Sequence, residues 1–202
     1  MKIIEQSAKI ITDINTENVY KFLESIGRVC YKSNDKITAG SAEKFIDAIV
    51  KSGHESVIEH FNISIFIICD RGVSHEIVRH RLASYSQEST RYCNYSKEKF
   101  GNELTFIKPC FWNENSKEYK IWKETMGYIE AVYLQLIGNG ASPEEARSVL
   151  PNSLKTELTM TANLREWRHF LQLRTSEKAH PQMREVANII KSLLNSKLPI
   201  IF

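Results

Sequence analysis

The spacing of apolar residues divides the chain into strand-like and helix-like segments. Ile3–Ile14 and Lys155–Ala162 alternate polar with apolar positions, which indicates strands with one buried face. Asn62–Asp70 is rich in β-branched and aromatic residues, as is typical of a buried strand. The pattern therefore predicts three strands that lie far apart in the sequence.

Helical spacing of three to four residues separates these strands. It predicts helices over Glu17–Tyr31, Ser41–Lys51, Val73–Leu82, Lys117–Ile137, Ser142 to about Pro151, Asn163–Arg174 and Pro181–Asn195. The residues expected to face the core of the first three are Val19, Phe22, Leu23, Phe45, Ile46, Ile49, Val73, Ile77 and Leu82. This order of elements predicts an α+β fold, and no linker or repeat divides residues 1–202 into more than one domain.

Helix-capping signals support several of these boundaries. Asn139 and Gly140 end the long helix, as a glycine past a helix terminus often does. Ser142 is followed by proline at the first helical position and by glutamate three residues on, which matches a capping box. Asn163 and Glu166 have the same spacing, so they are expected to open the next helix in the same way.

Composition excludes several functional classes. The 27 basic and 24 acidic residues give a net charge of +3, too small to indicate a nucleic-acid-binding surface. The four cysteines are widely spaced, which fits a reducing compartment better than a disulfide framework. The N-terminus lacks the apolar core of a signal peptide, and no apolar run is long enough to span a bilayer. We expect a soluble cytoplasmic protein without membrane or nucleic-acid partners.

The stretch RHRLASYSQESTRY, residues 79–92, is the first candidate for chemistry. If the chain is extended from Ser84, the side chains of Gln87, Ser89 and Arg91 point to one side. Together with Arg79 and Arg81 they predict a donor-rich wall suited to a phosphate or a flat heterocycle. The alternative is an exposed polar turn with surface ion pairs.

The run GHESVIEH, residues 53–60, contains two histidines but does not match a zinc-binding helix. His54 and His60 are six residues apart and therefore lie on different helix faces, whereas the zinc-protease pattern requires a spacing of four. We expect no metal site. A capping or ligand-lining role is favoured for His54 and Ser56.

The helix NLREWRHFLQLR, residues 163–174, combines a buried stripe with an arginine at its C-terminal end. Its expected core positions are Leu164, Trp167, Phe170 and Leu171. Arg174 continues this stripe, so its guanidinium either points inward, where it needs a partner, or turns outward at the helix C-terminus. Arg165 and His169 share a different face suited to a second ligand. Cys93 has no neighbouring histidine and is expected to be a packed thiol.

These residues resemble one known family. Arg79-His80-Arg81 followed after seven residues by Ser89 is similar to the signature of the flavin-dependent thymidylate synthases, also called the thymidylate synthase-complementing family. The HESVIEH segment, Arg147 with Leu150-Pro151, and the Asn163–Arg174 helix occur in the expected order. The resemblance implies a central mixed β-sheet flanked by helices, with active sites at subunit interfaces of a homotetramer. It also implies methylation of dUMP to dTMP with bound FAD, NADPH as reductant and 5,10-methylenetetrahydrofolate as carbon donor.

Individual roles also follow from the resemblance. It implies dUMP contacts for Glu76, Ile77, Val78, Arg79, Gln87, Glu88, Ser89, Thr90, Arg91, Arg147 and Arg174. It implies FAD contacts for His54, Ser56, Arg79, His80, Arg81, Gln87, Asn163, Leu164, Arg165 and His169. Arg174 corresponds to the arginine that promotes loss of the uracil N3 proton, and Ser89 to a hydroxyl beside the pyrimidine. Some members carry Gln where this chain has Glu76, and Glu where it has Gln87.

Two rival functions remain open at this point. A different nucleotide-dependent reductase would use a similar basic wall, although no G-x-G-x-x-G follows any predicted strand. A nucleic-acid-binding protein would direct the same arginines at phosphates, with an affinity that falls steeply with salt.

Overall fold

The computed structural model describes all residues, 1–202, as six strands and seven α-helices. The strands are β1 (Lys2–Ile4), β2 (Ser7–Ile10), β3 (Asn62–Asp70), β4 (Ala83–Gln87), β5 (Thr105–Ile107) and β6 (Lys155–Asn163). The helices are α1 (Thr16–Val29), α2 (Ser41–Lys51), α3 (Arg71–Ile77), α4 (Lys117–Gly138), α5 (Pro143–Ala146), α6 (Leu164–Arg174) and α7 (Pro181–Lys197). Short 3₁₀ turns cover Asn34–Lys36, Val57–His60, Glu98–Phe100 and Arg147–Val149.

The main sheet has four strands in the order β2-β3-β6-β4, and every neighbouring pair is antiparallel. Its centre is the pairing of β3 with β6, each nine residues long. β4 lies at one edge. A separate two-stranded sheet pairs β1 with β5 in parallel. The α+β class with helices around sheets is thus confirmed, with the antiparallel and parallel pairings in different sheets.

Most of the apolar core lies between the main sheet and α1, α2, α6 and α7. Alternate residues of β3, namely Ile63, Ile65 and Ile67, are fully buried, as the period of two requires. Trp167 of α6 is also fully buried, and its indole N–H donates to the Ile63 carbonyl oxygen at 3.0 Å. This bond satisfies the polar atom of a large buried ring and fixes α6 on the sheet.

A second, smaller cluster of buried residues joins α4, β5 and the segment around α5. Tyr133 and Trp122 of α4 pack there with Phe106 of β5. The capping box that opens α5 is present: Glu145 accepts hydrogen bonds from both the backbone and the hydroxyl of Ser142. None of the helices combines the length and apolarity needed to cross a membrane.

The predicted opening strand, Ile3–Ile14, is wrong as a single element, because the chain leaves one sheet and joins another. β1 pairs with β5, and β2 pairs with β3. Between them the side chain of Gln6 is buried and donates to the Gln182 carbonyl oxygen and to Glu185. Alternation alone does not show which partner each half of an apolar segment will find.

The predicted helix over Val73–Leu82 is too long, because α3 ends at Ile77. Leu82, expected to turn inward, is 75% exposed. Phe22 of α1 is 45% exposed as well, although Val19 and Leu23 are buried as predicted. The other predicted helices are confirmed within a few residues, except that α5 lasts one turn before the 3₁₀ turn at Arg147.

The close approach of α1 and α2 allows a stability test. A Cβ at Gly27 would lie 2.5 Å from two ring carbons of Phe45, whereas a Cβ at Gly127 in α4 would meet nothing within 4 Å. We expect Gly27→Ala to lower the free energy of unfolding by about 1–3 kcal/mol, as overpacking does. Gly127→Ala should leave it unchanged or raise it by up to about 1 kcal/mol, since alanine favours helix. Urea denaturation of both variants measures the difference; equal stabilities would contradict the packing described.

Candidate active site

A cluster of four polar side chains joins α3, α6 and the turn between α3 and β4. Arg174, the last residue of α6, donates from Nη1 to Glu76 Oε2 at 2.8 Å and from Nη2 to the Glu76 carbonyl oxygen at 3.1 Å. Its Nε donates to His80 Nε2 at 3.1 Å. The Arg174 side chain is 20% exposed, so of the two orientations that the sequence left open the structure shows the inward one, with Glu76 and His80 as partners.

His80 is buried and both of its ring nitrogens have partners. Nε2 accepts from Arg174, while Nδ1 lies 3.0 Å from Glu166 Oε1. Because Nε2 acts as an acceptor, the proton of the neutral ring is on Nδ1 and is donated to Glu166. Burial lowers the pKa of His80 and the Arg174 charge lowers it further, against the hydrogen bond to Glu166, which raises it. The net direction is downward, so the ring is neutral at neutral pH.

The backbone at His80 is held by a tyrosine of the neighbouring strand. The Tyr85 hydroxyl lies 2.9 Å from the Ile77 carbonyl oxygen and 2.6 Å from the His80 carbonyl oxygen, and its single proton is shared between these two acceptors. Burial raises the pKa of Tyr85 to about 12, so the hydroxyl remains a donor. The phenol therefore ends α3 and orients the turn. Arg79 and Arg81 on either side of His80 are exposed.

The wall predicted from an extended Ser84–Tyr92 is wrong. β4 ends at Gln87, whose amide donates inward to Ser74 Oγ at 2.9 Å and to Thr156 Oγ1 at 3.2 Å. Ser89 then starts a turn, in which its carbonyl oxygen accepts from the backbone of Tyr92 and Cys93. The side chain of Gln87 is therefore held by buried acceptors on α3 and β6. The alternation of side chains along an extended Ser84–Tyr92, which the polar sequence suggested, does not continue past Gln87.

β4 also separates two groups of candidate residues. Arg79, His80 and Arg81 precede the strand, whereas Ser89, Thr90 and Arg91 follow it. Five residues of strand correspond to about 17 Å. The two groups therefore lie at opposite ends of β4 within one copy of the chain. Ser89 Oγ accepts from the Arg91 backbone at 3.3 Å, and no histidine is hydrogen-bonded to it.

Glu88, expected near the nucleotide, is part of an internal ion-pair network. Its carboxylate accepts from the Tyr95 hydroxyl at 2.7 Å and from Lys155 Nζ at 2.8 Å, and its side chain is 11% exposed. Burial lowers the pKa of Lys155, but hydrogen bonds to Glu157 and Glu88 outweigh this effect and raise it. Glu88 therefore fixes the start of the Ser89 turn to β6 and to the smaller core.

Arg91 and Arg147 are both exposed and form a basic patch on the surface. Arg91 Nε lies 2.6 Å from Glu144 Oε2 of α5, and Arg147 follows Glu144 by three residues. The sequence suggested no link between these two arginines, which are 56 residues apart in the chain. The Glu144 carboxylate brings their segments together and partly neutralises a surface suited to a phosphate.

A cleft of about 1200 Å³ runs along α6. Of the predicted cofactor residues, Asn163, Arg165 and His169 line it. Its other charged lining residues are Glu55, Glu59, Glu166, Arg168 and Lys191. Arg165 is paired with Glu59 at 2.5 Å, and Arg168 with Glu55 at 2.9 Å.

The remaining predicted residues flank these surfaces or belong to the core. His54 and Ser56 are exposed on either side of Glu55, a lining residue of the cleft. Ile77 and Leu164 are fully buried, so their side chains pack in the core. Val78 is partly exposed, and Thr90 is buried.

The contact between Glu166 and His80 was not evident from the sequence. The position of Glu166 three residues after Asn163 indicated a capping glutamate, and Asn163 does accept from the Glu166 backbone at 2.9 Å. The Glu166 side chain, however, turns to His80. His169 lies close enough that ligand atoms of His80, Glu166 and His169 fall within 4.8 Å of one another. A cation there would compete with the Arg174 guanidinium for His80 Nε2, so the cluster is better suited to hydrogen bonding than to metal binding.

The Glu88 network can be separated from ligand binding by mutation. Glu88→Ala removes the acceptor of the Tyr95 hydroxyl and one of the two carboxylate acceptors of Lys155. We therefore expect a loss of about 1–3 kcal/mol in the free energy of unfolding. Glu88→Gln keeps an acceptor and should lose less. Thermal denaturation measured without ligands tests this; unchanged stability of the alanine variant would show that the network contributes nothing to the fold.

Comparison with solved structures supports the fold. Two crystal structures of a UMP/dUMP methylase, PolB from Streptomyces cacaoi, align with TM-scores of 0.78 over 100% of this chain. One contains 5-Br dUMP and the other 5-Br UMP; the alignments cover 95% and 94% of those chains at 22% and 19% identity.

Curated relatives are closer in sequence. A protein of Pyrococcus furiosus named flavin-dependent thymidylate synthase is 38% identical over 77% of this chain, and a protein of the same name from Geobacter sulfurreducens is 34% identical over 87%. The chain spans 64% of the length of the first and 77% of the second. The family model described as thymidylate synthase complementing protein matches residues 14–200. The chain therefore belongs to the thymidylate synthase complementing protein family.

Proposed function

We propose that this protein is a flavin-dependent thymidylate synthase that methylates dUMP to dTMP. The carbon donor is 5,10-methylenetetrahydrofolate, and NADPH is the reductant through FAD. The observation that carries the proposal is the Arg174 guanidinium, held by Glu76 and the neutral ring of His80. The names of the relatives indicate a thymidylate product and dependence on a flavin, and this cluster supplies the chemistry that such a reaction requires.

Arg174 is the proposed catalytic residue. Uracil C5 is a poor nucleophile until negative charge develops on the ring, and a guanidinium in a partly buried site stabilises that charge. Glu76 holds the guanidinium from one side. Because Arg174 is mostly buried, its field is less screened by water than that of a surface arginine.

The proposed phosphate site is the patch formed by Arg91 and Arg147. Glu144 pairs with Arg91, so a nucleotide bound here would replace this carboxylate with its phosphate. Ser89, beside this patch, has no base to activate it as a nucleophile, and its proposed role is to position the pyrimidine.

The separation of the two groups by β4 supports an active site shared between subunits. One copy would supply Glu76, Arg79 and Arg174, and another would supply the Ser89–Arg91 turn and Arg147. β4 is an edge strand, and Val78, Leu82 and Leu173 are exposed apolar residues. We propose a homotetramer of this single-domain chain. Its four free cysteines favour a cytoplasmic location.

The cleft along α6 is the proposed FAD site. Its volume of about 1200 Å³ exceeds the range of about 300–1,000 Å³ that is usual for small-molecule pockets, which leaves room for a dinucleotide. Arg165, Arg168 and Lys191 provide positive charge for a pyrophosphate, and Asn163 and His169 provide polar contacts. Bound FAD would supply hydride chemistry, while the side chains of this chain bind and orient it.

A direct assay tests the proposed function. Purified protein supplied with FAD, dUMP, methylenetetrahydrofolate and NADPH is expected to form dTMP, and Arg174→Ala is expected to lower kcat by about 100-fold or more, as loss of an electrostatic stabiliser does. Arg184→Ala, in the first turn of α7, is the control and should retain activity. Folded, FAD-loaded wild type that forms no dTMP would refute the proposal. Salt-sensitive binding of DNA or RNA instead would favour the nucleic-acid alternative.

The phosphate patch is tested by removing the competing carboxylate. Glu144→Gln frees Arg91, so we expect dUMP to bind up to about fivefold more tightly at low salt, the scale of an exposed ion pair. The gain should shrink at 0.5 M NaCl. Glu124→Gln, an exposed carboxylate on α4, is the control for net charge. Isothermal titration measures the dissociation constants; weaker binding by Glu144→Gln would contradict the proposed site.

A further inference from the structure

We propose that Glu166 is a positioning residue for Arg174, acting through His80 by fixing which ring nitrogen of His80 carries the proton. The inference rests on the proposed function for its catalytic consequence. Its structural part, the ordered hydrogen-bond chain from Glu166 to Glu76, stands on geometry alone. The chain crosses from the first turn of α6 to the last turn and ends on α3.

The argument begins with donors and acceptors. The guanidinium of Arg174 has only donors, so His80 Nε2 must present its lone pair to accept the bond from Arg174 Nε. A neutral imidazole has one proton, which must then be on Nδ1. The Glu166 carboxylate is acceptor-only when ionised, and it faces Nδ1 at 3.0 Å. The carboxylate therefore selects the tautomer that Arg174 requires.

Loss of the carboxylate would remove this selection. With an apolar group at position 166, the proton of His80 is free to move to Nε2, where it faces the N–H of Arg174. Two donors would then meet at a distance where one hydrogen bond now exists. Arg174 would keep its two bonds to Glu76 but lose the third contact that defines the plane of the guanidinium.

The charges around His80 support this assignment. On α6 it is faced by Glu166, Arg174 and His169, whose ring centroid lies 5.8 Å from that of His80. From β4 the Tyr85 hydroxyl reaches the His80 backbone, and from α3 Glu76 lies beyond Arg174. The uncharged ring of Phe170 also packs against His80, with 4.9 Å between the two ring centroids. Glu166 is therefore the carboxylate in direct contact with the ring.

Protonation of His80 should break the same chain. A charged imidazolium carries protons on both nitrogens, so it repels Arg174 and has no lone pair for it. Because burial keeps the pKa of His80 below its usual range, the acid limb of the kcat profile should lie below the ordinary range of histidine. Removing the Glu166 charge lowers the pKa of His80 further, so the limb should move to still lower pH.

The first test uses the ligand-free protein and does not depend on activity. Nitrogen-15 NMR of labelled histidine, with His80 assigned from the His80→Gln variant, is expected to show a protonated Nδ1 and an unprotonated Nε2 in wild type. Glu166→Leu should convert His80 to the Nε2–H form or a mixture. Glu24→Gln, at another buried carboxylate, should leave the His80 signal unchanged. A wild-type ring protonated on Nε2, or a Glu166→Leu ring identical to wild type, would overturn the proposal.

The second test measures turnover in variants whose folding is verified by thermal denaturation. Glu166→Gln keeps an acceptor of the same shape, so a modest loss of kcat and an acid limb at lower pH are expected. Glu166→Leu should lower kcat by about 10–100-fold with little change in KM for dUMP, as for other groups that orient a functional histidine. If Glu166→Leu does not fold, the pH profile of Glu166→Gln is sufficient to test the proposal. A purely structural role of Glu166 would not shift the acid limb of the kcat profile.

The two tests separate this inference from the proposed function. Wild type that forms no dTMP but shows the expected His80 tautomer would refute the activity and retain the hydrogen-bond chain. Wild type that forms dTMP while the acid limb of Glu166→Gln coincides with that of wild type would retain the activity and refute the positioning role.

Discussion

The antiparallel pairing of β3 with β6 is the constraint on which the site depends. Asp70 ends β3 and caps α3, and Asn163 ends β6 and caps α6, so the two helices start at opposite ends of one strand pair. Nine residues of strand span about 30 Å. The 7 and 11 residues of the two helices advance about 10 Å and about 16 Å. Their last turns can therefore meet, which is where Arg174 contacts Glu76.

A shared electrostatic feature connects the candidate residues. Arg91, Arg165 and Arg174 each contact a carboxylate, namely Glu144, Glu59 and Glu76. The pairs differ in burial, since Arg91 and Arg165 are more than half exposed and Arg174 is not. Exposed pairs contribute little to stability and exchange readily for an anionic ligand. Arg174 is mostly buried and donates two hydrogen bonds to Glu76 and one to His80, which suits the catalytic role proposed for it.

Local pattern was sufficient for much of the fold. The buried stripe of α6 and the strands β3 and β6 were predicted closely because their periodicity and their burial agree. The same stripe placed Arg174 at the edge of the core but left its inward and outward orientations open, and its contacts with Glu76 and His80 decided between them. The sequence predictions were wrong where tertiary contacts determine the local structure. The side chain of Gln87 turns to Ser74 and Thr156, and the opening segment divides between two sheets. The role of Glu166 was hidden because a helix-capping position and a histidine partner require the same residue type.

The division of the core into a larger and a smaller cluster has a consequence for motion. The main cluster contains 28 buried residues and holds β3, β6 and α6, whereas the smaller contains 9 and supports α4, α5 and β5. A unit with fewer buried contacts opens by local unfolding at lower free energy than the rest. Amide protons of α4 are therefore expected to exchange with solvent sooner than those of β3. The patch of Arg91 and Arg147 is therefore expected to lie in the part of the molecule that unfolds locally at lower free energy, and the Arg174 cluster in the more stable part.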